Sequence, residues 1–268
     1  MPETPVTIIL LAGQRAGVVN PLAERAGVSH KCLVPIRGKP LIVHVLDTLT
    51  ALPATKSIRI SLEPEAHAQV GKIVAAYADR GIPIELHASA AHIVHSALDA
   101  AGDDPGPFIV TTADNVLLTP AAVAQVRRAL SEVDGVLAMA RKESVLAAHP
   151  DGQRGFYRFR GGEYANCNIY GLANRQALTL GAEMFRTGGQ FMRHVSRMIG
   201  TFGLHNIVLL RLGYFDLDGA MRRLGRRLGL RARATIFADG SLAIDVDNER
   251  TYRVCDELLA AREAAEAA

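Results

Sequence analysis

Tryptophan is absent from this chain, and aromatic residues make up only 5% of it. A nucleic-acid surface built on stacked aromatics is therefore not expected, and no RNA-binding pattern is present. Cysteine is equally scarce. Cys32, Cys167 and Cys255 are odd in number, far apart and without CxxC spacing, which argues against a disulfide framework or a zinc site and for buried, idle thiols. No apolar run approaches the ~20 residues needed to span a bilayer. Residues Met1 to Pro5 carry no basic n-region of a secretory signal. Linkers rich in Pro or Ser, repeats and low-complexity segments are also missing. The expectation is one soluble domain over residues 1–268, placed in the cytoplasm.

What the chain has in quantity is apolar residues, 49% of 268, enough for a sizeable core. Net charge is only +3, but Arg222, Arg223, Arg226, Arg227, Arg231 and Arg233 crowd one late segment. Such a cluster suits a solvated helix face, a phosphorylated substrate or an anionic membrane surface.

The stretch TIILLAGQRAGVVNPLAERAGVSHKCLVPIRGKPLIVH, residues 7–44, opens on an apolar run (Ile8 to Leu11) that reads as a parallel strand covered on both faces. A loop of roughly 20 residues follows, a length that is usually functional. Arg15, His30, Lys31, Arg37 and Lys39 stand beside its glycines, as in a phosphate cradle. Backbone amides of Ala12 to Gly17 would hold phosphates, with Arg15 and Lys31 as cationic partners.

Beyond it, helix and strand patterns alternate. Helices are expected over Pro40–Leu52, Pro64–Gly81, His92–Ala101 and from Pro120, and strands over Ser57–Leu62, Pro83–His87, Phe108–Thr112 and Val133–Ala140. This is an α/β pattern, a mainly parallel (mixed) sheet sandwiched by helices. Gly155 to Gly171 reads as antiparallel strands walling the sheet's edge. Residues 174–230 read as a helical insertion near the C-terminus, with Met184 to Ile199 as core or subunit contact. A last strand, Ala243 to Val246, leads into a closing helix from Asn248, and the Ala/Glu-rich tail from Ala260 is expected to fray. Asp114 and Asn115 follow a buried strand, where ligands bind in open α/β sheets. His87, His92 and His95 cluster locally, but His92 and His95 lack a nearby carboxylate partner and fall on an expected surface helix, so a metal site there is not favoured.

LAGQRAG followed by HKCLVPIRGKPLIVH resembles the MobA-like NTP transferases, nucleotidyltransferases with a Rossmann-like GT-A fold. The likeness covers most of residues 6–130 and 164–260. It implies transfer of a nucleotidyl group from an NTP to a phosphorylated small acceptor (sugar, polyol or alcohol phosphate), with release of pyrophosphate. By resemblance, Leu11, Ala12, Gly13, Gln14 and Asn115 would line the nucleotide site and Lys31 would meet phosphates, while Arg15 or an arginine of the late basic segment would replace the family arginine absent at Val18. Gly38-Lys39-Pro40 would start the helix under the loop. TTADNVLLTP puts a magnesium carboxylate at Asp114, and IDVDNERTY puts the second at Asp247, with Asp245 as a nearby alternative. NCNIYGL places Asn166 or Asn168 near the acceptor. HSAL resembles a base-contacting segment of the cytidylyl branch, which points to Ser96 and favours CTP, with GTP or UTP open.

The chain departs from the family pattern at Gln14 and Ala16, where the family has glycine, at Val18, where it has arginine, and at His30, where it has proline. Two other readings remain: a GT-A glycosyltransferase using an NDP-sugar, and a catalytically silent nucleotide-binding module.

Overall fold

The computed structural model describes residues 4–14, 20–185 and 214–267. Its frame is one sheet in the order β10-β7-β9-β6-β1-β4-β5. The strands are β1 (Val6–Leu11), β4 (Thr55–Leu62), β5 (Ile84–Ala88), β6 (Phe108–Thr112), β7 (Gly135–Arg141), β9 (Gly162–Leu172) and β10 (Ala232–Phe237). Short β8 (Tyr157–Phe159) pairs with β9. β1 lies parallel to both β4 and β6, and its Ile8, Ile9 and Leu10 have no exposed surface. A strand apolar at every position must be covered on both faces, as expected of β1.

The helices are α1 (Pro21–Arg25), α2 (Leu41–Thr50), α3 (Pro64–Ala75), α4 (Ile93–Ala101), α5 (Pro120–Ala129), α6 (Lys142–Ala148), α7 (Arg175–Phe185), α8 (Leu217–Leu228) and α9 (Glu249–Ala267). On α2 the residues Leu41, Ile42, Val45, Leu46 and Leu49 are buried, the 3–4 spacing of a helix laid on a sheet. Strand order reverses at β1: β4 and β5 lie to one side and β6 to the other. The crevice beyond the carboxyl ends of β1 and β6 is the position where open α/β sheets bind ligands.

Several expectations need correction. β9 does not wall the edge. It runs antiparallel between β6 and β7 in the middle of the sheet, placed there by pairing along both of its sides. Ala243 to Val246 is no strand: Gly240–Ala243 form one turn of 3-10 helix and an irregular segment follows. Among the described strands the edges are β5 and β10, and the arginine-rich stretch carries no signal for β10. The tail from Ala260 continues α9, which is helical to Ala267. It is held by Arg262, which donates to Leu117 O at 2.9 Å and to Ser241 Oγ at 2.9 Å.

Gly38 and Lys39 do not start α2 either. Arg37 and Gly38, with φ of 48° and 76°, form the two-residue turn of a hairpin joining β2 (Pro35–Ile36) to β3 (Lys39–Pro40). The helix then begins at Leu41. Met184 to Ile199, as packing side chains, lie outside the described residues.

Candidate active site

Four charged side chains from distant parts of the chain meet at the β1/β6 crevice. Lys31 opens a 3-10 turn (Lys31–Leu33) at the end of the long loop. Asp114 follows β6 two residues past its end at Thr112. Asp245 and Asp247 come from the irregular segment before α9. This segment is pinned to the sheet: Val246 N–H donates to Asp114 O at 3.1 Å, and Asp247 N–H to Thr251 Oγ1 at 2.9 Å. Its approach also requires Gly240, where an added Cβ would lie 2.1 Å from the Ser144 carbonyl carbon.

Lys31 Nζ is bonded to Asp114 Oδ2 and lies 3.0 Å from Asp247 Oδ1. Burial works to lower the pKa of Lys31. The charges and hydrogen bonds of Asp114 and Asp247 outweigh it, and the net shift is upward. The ammonium is therefore held protonated. Asp245 is raised as well, which for a carboxyl favours the neutral form: burial, then the charges of Asp247 and Asp114, lift it well above its usual range. Ligand oxygens of Asp114, Asp245 and Asp247 all lie within 4.8 Å of one another. Asp114 Oδ1 is buried without a hydrogen-bond partner among the described residues. An orphaned carboxylate oxygen facing two further carboxylates is a donor set that fits a hard divalent cation.

β9 contributes the fifth member. Around Asn168 its register with β7 slips, so that Leu137 faces Tyr170 but Met139 faces Asn166. Asn168 sits at φ 52°, and its N–H donates to Asn166 Oδ1 at 3.1 Å. The bulge aims the Asn168 amide at the site, where Nδ2 donates to Asp245 Oδ2 at 2.8 Å. Asn166 Nδ2 donates to Asn168 Oδ1 at 2.9 Å, so the two asparagines named from the sequence act as one linked pair. Asp245, left as an alternative in the sequence, is the buried member of the acidic group, and Asp247 the exposed one.

The nucleotide-side residues are less simply arranged. Ala12 N–H continues the sheet by donating to Ser61 O at 2.9 Å, and Gln14 N–H donates to Glu63 Oε1 at 2.9 Å. Two amides of the expected phosphate cradle are thus engaged within the protein. Leu11 O in turn accepts from Ala113 N–H at 3.0 Å, and Gly13 is exposed at the crevice. Ser96 is buried, and its Oγ accepts from Ala90 N–H at 2.9 Å, which ties down the loop between β5 and α4.

Asn115 is also buried, and its Nδ2 donates to Cys167 O at 3.0 Å, bracing β9. Arg15 lies outside the described residues. Arg37 and Lys39 are turned away from the crevice, paired with Glu263 and Asp47. His30 is buried beside Ser29 and Glu63. Glu63 was missed in the sequence, which offers no signal for it beyond a place at the carboxyl end of β4. His87 pairs with Glu85, and His92 and His95 stack edge to face. The three cysteines are buried free thiols.

A mainly parallel sheet with helices on both faces, an antiparallel insert and a lysine set among carboxylates at the strand-order reversal define an α/β protein with a ligand-binding crevice at the carboxyl ends of its strands. The family model described as the MobA-like NTP transferase domain matches residues 8–197, and the chain belongs to that family. It is 27% identical over 159 residues to the bifunctional protein GlmU of Exiguobacterium sibiricum. That match takes in 59% of this chain and 32% of the relative, so the chain spans about a third of the relative's length.

A hypothetical transferase from Thermus thermophilus superposes with a TM-score of 0.72 at 25% identity, over 93% of this chain and all of that one. The 4-diphosphocytidyl-2C-methyl-D-erythritol synthase of Anaerococcus prevotii gives 0.58 at 10% identity, covering 96% of each chain. A CMP:2-keto-3-deoxy-manno-octonic acid synthetase complexed with CTP gives 0.57 at 13%, covering 97% of this chain and 99% of that one. The last two likenesses are likenesses of fold.

Proposed function

We propose that this protein is a magnesium-dependent nucleotidyltransferase that joins an NTP to a phosphorylated small acceptor. The observation that carries the reading is the convergence of Lys31, Asp114 and Asp247 at the β1/β6 crevice. An oxygen of the acceptor phosphate attacks the α-phosphorus of the NTP, the bond from that phosphorus to the bridging oxygen of the β-phosphate breaks, and pyrophosphate leaves. The nucleophile is already ionised, so no strong base is needed, and catalysis is positioning plus charge neutralisation.

Asp114 and Asp247 would hold the magnesium ion, which supplies positive charge at the α-phosphate. Asp245, buried and pushed toward its neutral form, serves instead as the acceptor of the Asn168 amide and fixes the bulge. Lys31 balances Asp114 and Asp247 and is within side-chain reach of phosphates delivered to them. Arg15 is a second phosphate cation. Leu11, Ala12, Gly13 and Gln14 form the nucleotide edge of the crevice. Ser96 and Asn115 act there through the loops they brace rather than as direct contacts. Asn166 and Asn168 orient the acceptor. CTP is kept as the favoured nucleotide because one structural neighbour of the same fold is complexed with CTP, not because of Ser96, which braces a loop. The setting is the cytoplasm, where NTPs are made.

Pyrophosphate release measured over a panel of NTPs and sugar, polyol or alkyl phosphates tests this reading. Release that depends on both partners and on magnesium is expected. Consumption of an NDP-sugar without pyrophosphate chemistry would instead place the chain with the glycosyltransferases. A silent nucleotide-binding module is the second reading, favoured by Gln14, whose amide is closed on Glu63. It predicts NTP binding by calorimetry with no turnover.

A further inference from the structure

The three carboxylates stand at one end of a cavity of about 410 Å³. Besides the carboxylates, its polar lining side chains are Thr112, Asn168 and Tyr170, and the Tyr170 hydroxyl reaches Asn168 Oδ1 at 3.3 Å. The remainder of the described lining is apolar and comes from β1, β6, β7, β9 and β10, from α4, α7 and α8, and from Leu230. Val94 and Ala97 line it from α4, Leu178 and Ala182 from α7, and Met221 and Leu224 from α8. Ile93 lines it as well, and is 42% exposed, so aliphatic surface reaches solvent at the N-terminus of α4. An acceptor rich in hydroxyls would find no described hydrogen-bonding group beyond the carboxylate end, and leaving its hydroxyls unpaired would be costly.

The helix that closes this cavity has two unlike faces. Leu217, Met221 and Leu224 of α8 are buried, while Arg222, Arg223, Arg226 and Arg227 are exposed. A helix apolar inward and arginine-rich outward is suited to resting on an anionic interface.

Taking the nucleotidyltransferase reading as its basis, we propose that the acceptor is the phosphate monoester of a long aliphatic alcohol. Its phosphate lies at the Asp114/Asp247 end and its chain in the α4/α7/α8 cavity. The transfer is the one already written: a phosphate oxygen of the monoester bonds to the α-phosphorus and pyrophosphate leaves. The alkyl chain takes no part in bond making and supplies binding energy remote from the reacting atoms.

Monodecyl phosphate and ethyl phosphate, compared by calorimetric binding in magnesium and by pyrophosphate release with CTP, GTP and UTP, test it. Decyl phosphate is expected to bind at least about tenfold tighter than ethyl phosphate, given what each buried methylene contributes. Ala97→Phe and Ala182→Phe fill the cavity from two different helices, and each is expected to remove that preference. Circular dichroism and thermal melts check that both variants fold.

Equal binding of the two phosphates overturns the proposal, and so does pyrophosphate release that is indifferent to chain length. Tight decyl phosphate binding with no pyrophosphate from any NTP leaves the aliphatic site standing and overturns the nucleotidyltransferase reading instead. Presenting decyl phosphate in phosphatidylglycerol vesicles, in phosphatidylcholine vesicles and in solution separates the sources. Faster turnover on anionic vesicles, lost in Arg222→Glu/Arg226→Glu, assigns the acceptor to a membrane surface; equal rates assign it to solution.

Discussion

Lys31 Nζ and Asp247 Oδ1 lie 3.0 Å apart although 216 residues separate them in the chain. With Asp114 on its other side, the ammonium occupies the position between the two carboxylates proposed to hold magnesium. Cation and lysine therefore compete for the same charge before nucleotide arrives. Lys31→Met should bind Mn²⁺, read by electron paramagnetic resonance without nucleotide, more tightly than the parent. The same variant should turn over roughly a hundredfold more slowly, as when one charge-stabilising donor is removed from an active site. Weaker manganese binding in Lys31→Met would show that the lysine supports the ion site rather than competing for it.

Asn168 holds a left-handed φ of 52° to direct its amide at Asp245. Removing the amide leaves a buried carboxyl without this donor, a loss of about 1–3 kcal/mol. Asn168→Ala adds the strain of a positive φ, whereas Asn168→Gly relieves it. Both should melt at lower temperature than the parent, with glycine the milder of the two. Equal melting points for all three proteins would mean that the Asn168–Asp245 contact is not formed in solution.

Gly240 tests how the late carboxylates are placed. Its missing side chain lets the Gly240–Ala243 turn press on Ser144, where a Cβ would meet backbone carbonyl carbon at 2.1 Å. Gly240→Ala must push the turn off α6, at a cost of roughly 1–3 kcal/mol, and the displacement carries Asp245 and Asp247 with it. Activity should fall by more than the lost stability explains when assayed well below the melting point. Full activity in a folded Gly240→Ala protein would separate the turn from the site.

At the opposite end of the sheet, Asp104 has its side chain 1% exposed and accepts from Thr7 Oγ1, Lys56 Nζ and Gly106 N–H. Burial raises its pKa, but the Lys56, Gly106 and Thr7 hydrogen bonds together bring it below the usual value. A carboxyl lowered in the folded state stabilises above its unfolded pKa, about pH 4, and this contribution disappears as pH falls through the folded value. Asp104→Asn should therefore be less stable than the parent at pH 7, by roughly 2 kcal/mol. The gap should narrow below pH 4 in urea titrations. A gap independent of pH would assign the loss to packing alone.

The fold was legible wherever periodicity was strong. Ile8 to Leu11 and the α2 stripe from Leu41 to Leu49 could hardly be anything but a buried strand and a sheet-facing helix. β9 was misplaced because an antiparallel strand in the middle of a parallel sheet leaves no mark in its own residues; the pairing partners decide it. β10 was hidden because Arg231 precedes it and Arg233 is its second residue, so composition reads its start as part of a basic tract. In the site, Asp114, Asp247 and Lys31 could be named from motif, and the structure brings them together. The engagement of Gln14 and Ser96 could not be read, since both are bound by backbone or side-chain groups whose proximity only folding creates. Glu63 had no legible role for the same reason.

The proposed mechanism concentrates on Asp114, which touches Lys31 and has a buried oxygen without a hydrogen-bond partner among the described residues. The direct measurement is acceptor-dependent pyrophosphate release, in saturating magnesium and CTP, by the parent and by Asp114→Asn, a variant that keeps the shape and removes the charge. A fall of about a hundredfold or more is predicted, in line with the loss of an electrostatic group at the reacting phosphate. Undiminished release by a folded Asp114→Asn protein would contradict the account.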